Sequence, residues 1–242
     1  PRSGGPADLG PMAAGVDRPS VSSMTTPVAI VTGASRGLGR ALADGLARDG
    51  WQLGIDGRDP DALAAARGEL PGDVVAVAGD IGAPGVGQRI VDAAMERFGR
   101  VDTVVNNAGI FVAKPFTEYT DADYDAVTGV NLRGFFEVTR AALATMLTRD
   151  GGGNIVTIST SLVDHATSQV PSAMASLTKG GLNAAPKALA VEYAGRGIRS
   201  NAVALGIIDT PMHAPETHDF LASLHPMGHL GEIDDVVDAV LY

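Results

Sequence analysis

Six short apolar runs punctuate the chain between residues 28 and 205, and a helix-periodic segment separates each from the next. The runs are VAIVT (28–32), WQLGID (51–56), DVVAVAG (73–79), VDTVVNN (101–107), NIVTIS (154–159) and IRSNAVAL (198–205). Between them, GRALADGLARDG (39–50) carries Leu42 and Leu46 at helical spacing and stops at Gly50. DPDALAAARGEL (59–70) reads as a helix capped by Asp59, and PGVGQRIVDAAMERFG (84–99) as another. Longer helical zones are expected at about 121–149, interrupted near Val130–Gly134, and at 173–195. The second contains Pro186, which removes one hydrogen bond and crowds the carbonyl of Leu182, at about 3 kcal/mol. Strands that are apolar throughout need cover on both faces, and helical crossovers supply it. The expected fold is therefore α/β: one doubly wound domain over 24–242, with a parallel sheet and helices on both faces. GEIDDVVDAVLY (231–242) reads as a helix still running at Tyr242, so the sheet is expected to lack a final edge strand.

Composition narrows the partners. A formal net charge of −10 repels phosphate backbones and anionic lipid, which argues against nucleic acid and membrane surfaces. No apolar run approaches the roughly 20 residues that a membrane helix needs. The sequence has no cysteine, which removes disulfide and thiolate chemistry and fits a reducing, cytoplasmic setting. Residues 1–23 are rich in Pro, Gly and Ser without periodicity and are expected to be a disordered leader or tag, with Met24 a natural start.

TGASRGLG (32–39) lies between the first strand and the first helix. Its glycines let the backbone approach a ligand, and the helix start offers free N–H groups and a positive dipole end. A pyrophosphate fits such a turn, which makes the domain a dinucleotide-binding Rossmann candidate. The spacing is G-x-x-x-G-x-G rather than G-x-G-x-x-G.

From about residue 27 onward the chain resembles the short-chain dehydrogenase/reductase family. TGASRGLG resembles that family's cofactor turn, which implies phosphate contacts from Gly33, Ser35, Arg36, Gly37, Leu38 and Gly39. Asp80 and Ile81 match the pair that touches the adenine. NNAG (106–109) matches the element that closes the fourth strand, implicating Asn107, Ala108 and Gly109. GIIDTPM (206–212) matches the segment over the nicotinamide, with Gly206, Ile208 and Thr210 at the contacts. The family's acidic position after the second strand falls on Gly57, followed by Arg58. With Arg36 in the turn, that pattern implies NADP(H), leaving NAD as the alternative because Asp56 stands next door. Trp51 is a candidate fluorescence reporter of binding.

The same resemblance implies a small carbonyl or alcohol substrate and a homodimer or homotetramer paired through the long helices. It assigns Lys179 to the nicotinamide ribose, Asn131 to a proton-relay water, and either Thr160 or Ser161 to the substrate carbonyl. Four residues before Lys179, where the family places its proton-donating tyrosine, stands Ala175. A positioned acid is worth roughly 10²–10⁴ in rate, so its loss cripples the usual reaction without abolishing it. Substitute donors are His165, or a water held by Lys179 and Asn131. His213, His218, His225 and His229 fall in the expected substrate lid and lack metal-ligand spacing, so no metal site is expected. Two functions remain: an oxidoreductase with an altered acid, or a non-catalytic nucleotide-binding relative that senses cofactor or supports a partner subunit.

Overall fold

The computed structural model describes residues 26–242; the expected leader and Met24 lie outside them. In order, the elements are β1 (Val28–Val31), α1 (Gly37–Arg48), β2 (Gln52–Gly57), α2 (Pro60–Glu69), β3 (Val74–Ala78), α3 (Val86–Phe98) and β4 (Thr103–Asn106). The second half comprises α4 (Asp121–Thr128), α5 (Gly134–Met146), β5 (Gly153–Thr160), α6 (Ala173–Tyr193), β6 (Ile198–Leu205), α7 (His218–Ser223) and α8 (Ile233–Leu241).

Local chemistry explains most boundaries. Asp59 accepts hydrogen bonds from the N–H groups of Asp61 and Ala62, and Pro60 opens α2 where a missing N–H costs nothing. Thr120 and Asp123 cap α4 reciprocally. The interruption expected near Val130–Gly134 is a π turn, Gly129–Arg133, between α4 and α5. Pro186 does not end α6, which runs on to Tyr193 with the proline ring buried.

The sheet is six-stranded and wholly parallel, in the order β3-β2-β1-β4-β5-β6. The chain winds outward in opposite senses from β1 and β4, so a crevice opens between their carboxyl ends. One face buries Ile30, Val104 and Ile155 under Ile90 of α3 and Val138 and Met146 of α5. The other buries Val31, Leu53 and Ile158 under Leu42 and Leu46 of α1 and Val236 of α8. The expectation of strands covered on both sides fails at β6, where Asn201, Ala202 and Ala204 are exposed. That strand is an edge of the sheet among the described residues, and an edge strand buries fewer side chains. Among the described residues no helix is long and apolar enough to cross a membrane.

Candidate active site

The turn after β1 is held from three directions. Gly33 adopts φ +67°, a left-handed conformation that a side chain disfavours. A Cβ on Gly39 would lie 2.2 Å from the Gly33 carbonyl oxygen, so α1 starts flush against the turn. From β4, the Asn107 amide donates to Thr32 O (2.9 Å), while Thr32 Oγ1 accepts the N–H groups of Asn107 and Ala108 (both 3.0 Å). Thr32 was not among the residues expected from sequence. Its only sequence signal is a hydroxyl at the strand end before a glycine turn.

The third restraint is Asp56, whose Oδ1 accepts Gly33 N–H at 2.7 Å. The carboxylate is 1% exposed, and burial pushes its pKa up from 3.8 to about 7; the nearby Asp80 charge adds to the rise and the Gly33 N–H opposes it. Asp56, the neighbour that left NAD as the alternative, thus turns its side chain inward beneath the turn. Arg36 and Arg58 are exposed, and neither guanidinium has a hydrogen bond or ion pair among the described residues. Between them, Gly57 leaves room for Ser35, whose Cβ would sit 2.9 Å from a Cβ on that glycine. Leu38 packs half-buried against the core.

Beyond β3, Asp80 is exposed and accepts Gly82 N–H at 2.9 Å, while Ile81 is buried in the core. On the other side of the crevice, Asn131 is 1% exposed inside the π turn. Its Oδ1 accepts Ile110 N–H (2.9 Å); its Nδ2 donates to Ile110 O (3.2 Å) and Thr178 Oγ1 (3.1 Å). The amide thus fastens the loop after β4 to α6.

Lys179 Nζ donates to Ile158 O at 2.8 Å. That is one of three ammonium donors, and the other two have no partner among the described residues. Burial pulls the pKa from 10.5 to about 8, because the charged form is poorly solvated there. A Cβ on Gly109 would stand 3.1 Å from this nitrogen and 3.4 Å from Asn131 Oδ1, so Gly109, Asn131 and Lys179 form one cluster. Ala175, one turn earlier on α6, is 3% exposed.

The hydroxyls at the end of β5 separate by role. Ser159 Oγ donates to Lys179 O (3.3 Å), and Thr160 Oγ1 accepts Leu162 N–H (3.3 Å), capping a 3₁₀ turn over Ser161–Val163. Ser161 Oγ has no partner among the described residues, and His165 is exposed just beyond the turn. Gly206, Ile208 and Thr210 follow β6 at the same edge of the sheet, with Ile208 bridged to Gly231. Trp51, by contrast, precedes the amino end of β2. The six-residue strand spans about 20 Å, so Trp51 is a poor reporter of events at the carboxyl edge. Among the described residues no group of three or more His, Asp or Glu is placed to hold a metal.

Comparison with known proteins shows the family. The family described as short chain dehydrogenase matches residues 27–220. The 3beta-hydroxysteroid dehydrogenase 1 of Eggerthella lenta is 36% identical over 222 residues, covering 88% of this chain and 84% of its own. A blue fluorescent protein from a metagenomic library, solved with NADPH, superposes with a TM-score of 0.82 at 32% identity and 89% coverage of both chains. An actinorhodin polyketide ketoreductase variant, also solved with NADPH, gives 0.83 at 30% identity, covering 90% of this chain and 89% of that one. With its parallel sheet, its glycine turn and its half-buried lysine at the crevice, this chain belongs to the short-chain dehydrogenase family.

Proposed function

We propose that this protein is an NADP(H)-dependent oxidoreductase for a ketone/alcohol pair, and that it delivers the substrate proton without a tyrosine. The observation that carries the reading is Lys179: a half-buried lysine, two of whose ammonium N–H groups have no partner among the described residues, beside Asn131 and Gly109, with Ala175 one turn away. The residues fit the cofactor. Arg36 and Arg58 would hold a 2′-phosphate, Gly57 offers no carboxylate to repel it, and the start of α1, which no side chain caps, would meet the diphosphate with its N–H groups. Bound there, NADPH supplies the hydride.

The chain's own groups do the rest. One free Lys179 N–H would hold the ribose and another a water; that water passes a proton to the substrate oxygen and takes one from the Lys179 ammonium, which solvent then reprotonates. Asn131 keeps the Ile110 loop in place around that water. Ser161, whose hydroxyl is uncommitted, orients the carbonyl, and Thr160 serves mainly as the turn's cap. His165 is the other donor within the site's loops, and its exposure makes it the secondary one. The relatives' dehydrogenase and reductase names and the NADPH in two structural neighbours favour this over a non-catalytic binding role. Exposed Phe136 on α5 and Leu177 and Val191 on α6 support pairing of subunits through these helices.

The test is calorimetric titration with NADPH and NADH, followed by NADPH oxidation against a panel of ketones. Expected are tighter binding of NADPH and slow turnover that rises in Ala175→Tyr by up to roughly 10²-fold, the lower range for a positioned acid. Absence of heat with either nucleotide would remove the proposal; binding without turnover, restored by the tyrosine, would favour the binding-module reading.

A further inference from the structure

We infer that the His225 side chain is a positioning residue: it clamps the Gly206–Thr210 segment across the carboxyl edge and ties that segment to α7. The consequence for the cofactor rests on the proposed function; the clamp itself does not.

The chain leaves β6, an edge strand among the described residues, at Leu205 and enters a segment whose strand pairing among those residues is a single isolated bridge. Besides a 3.7 Å contact between Asp209 Oδ1 and His218 Nε2 at the start of α7, two hydrogen-bonded fastenings hold it. The first is backbone: Gly231 N–H donates to Ile207 O (3.0 Å) and Asp209 N–H to Gly231 O (2.9 Å), forming a single parallel bridge at Ile208. The second comes from a side chain. Ile207 N–H donates to His225 Nε2 at 3.0 Å, across eighteen residues of sequence. Ile207 is therefore gripped on both polar groups, by Gly231 on its carbonyl and by His225 on its amide. The fit is close: a Cβ on Gly206 would lie 2.6 Å from His225 Cε1, so the ring rests directly on the glycine backbone.

His225 is itself placed by α7. Its N–H donates to Ala222 O and its carbonyl accepts Gly228 N–H, both at 3.0 Å, in a turn where Gly228 takes φ +74°. The ring thus links the turn after the helix carrying Phe220 to the backbone that emerges from β6. The bond also sets the ring's chemistry. An imidazole nitrogen that accepts an N–H carries no proton, so the neutral ring holds its hydrogen on Nδ1. A histidine that merely filled space would be under no such constraint. The Gly206–Thr210 segment is where the cofactor's nicotinamide end is proposed to lie, so a loosened clamp should weaken NADPH binding.

Three measurements test this on the full chain. In nitrogen-15 NMR at alkaline pH, His225 should show the Nδ1–H tautomer; an Nε2–H ring would overturn the clamp whatever the activity. Hydrogen exchange at the Ile207 amide should be slow in wild type, fast in His225→Leu, and slow again in His225→Gln, whose Oε1 reaches about as far as Nε2. Equal exchange in all three would also overturn it. NADPH affinity should fall about threefold to tenfold in His225→Leu, the share of one hydrogen bond, and return in His225→Gln. An unchanged affinity would sever the clamp from cofactor binding and overturn that half. If wild type binds no NADPH, the functional proposal fails while the tautomer and exchange results still judge the clamp.

Discussion

Asp56→Asn removes a carboxylate that the fold buries to 1% exposure beneath the glycine turn. Burial, the largest influence on it, raises its pKa from 3.8 to about 7. Between those values the folded protein keeps a proton that the unfolded chain has released. The group's contribution to stability is therefore fully present below pH 3.8 and is lost as pH rises to about 7, after which it is flat. At about 1.4 kcal/mol per pH unit the whole span is worth about 4 kcal/mol, and the part between pH 5 and pH 8 about 3 kcal/mol. Asparagine has the same shape and keeps an oxygen for the Gly33 N–H at 2.7 Å, but it does not titrate. Urea unfolding of both proteins across pH 5–8 isolates this one group, because every other titration is common to the pair. The variant should gain on wild type by about 3 kcal/mol over that range. Stability curves that stay parallel would refute the reasoning, since they would mean that the buried carboxylate titrates as it does in the unfolded chain.

Three further outcomes follow from the site. Removing both guanidiniums, Arg36→Ala with Arg58→Ala, should weaken NADPH by about 1.5–3 kcal/mol, roughly tenfold to a hundredfold, and leave NADH nearly unchanged by calorimetry. Equal losses for the two nucleotides would place the 2′-phosphate elsewhere. Lys179 has a depressed pKa, about 8, so carbonyl reduction should decline as pH rises through that value while the ammonium loses its proton. Lys179→Met should abolish this inflection along with most of the NADPH affinity, and a rate profile flat from pH 7 to 9.5 would exclude the lysine from proton delivery.

Much of the architecture was legible because it is written in local pattern. Apolar runs and helix-periodic intervals alternate in the sequence, and all six strands and the helices between them lie where that alternation puts them. Asp59 caps α2 because a carboxylate two and three residues before free helix amides is within reach of them. The gap at Val130–Gly134 was visible as a break in period, although a π turn could not be told from a loop by that signal. The glycine turn and Lys179 were recognisable from their spacing and their resemblance to a family.

Side-chain direction was not legible. Asp56 and Gly57 are neighbours in sequence, and successive residues of a strand point to opposite faces, so whether the carboxylate faces solvent or the underside of the turn depends on the register with β1. Which hydroxyl after β5 stays free depends on the 3₁₀ turn that Thr160 caps. Thr32 meets Asn107, Asn131 meets Ile110, and His225 meets Ile207 only after the strands are stacked. The sequence alone determined the kind of sheet and the place of its glycine turn, because periodicity and turn chemistry act over a few residues. The tertiary structure decided what each polar group at that crevice is bound to, because those partners are brought together only by packing across the sheet.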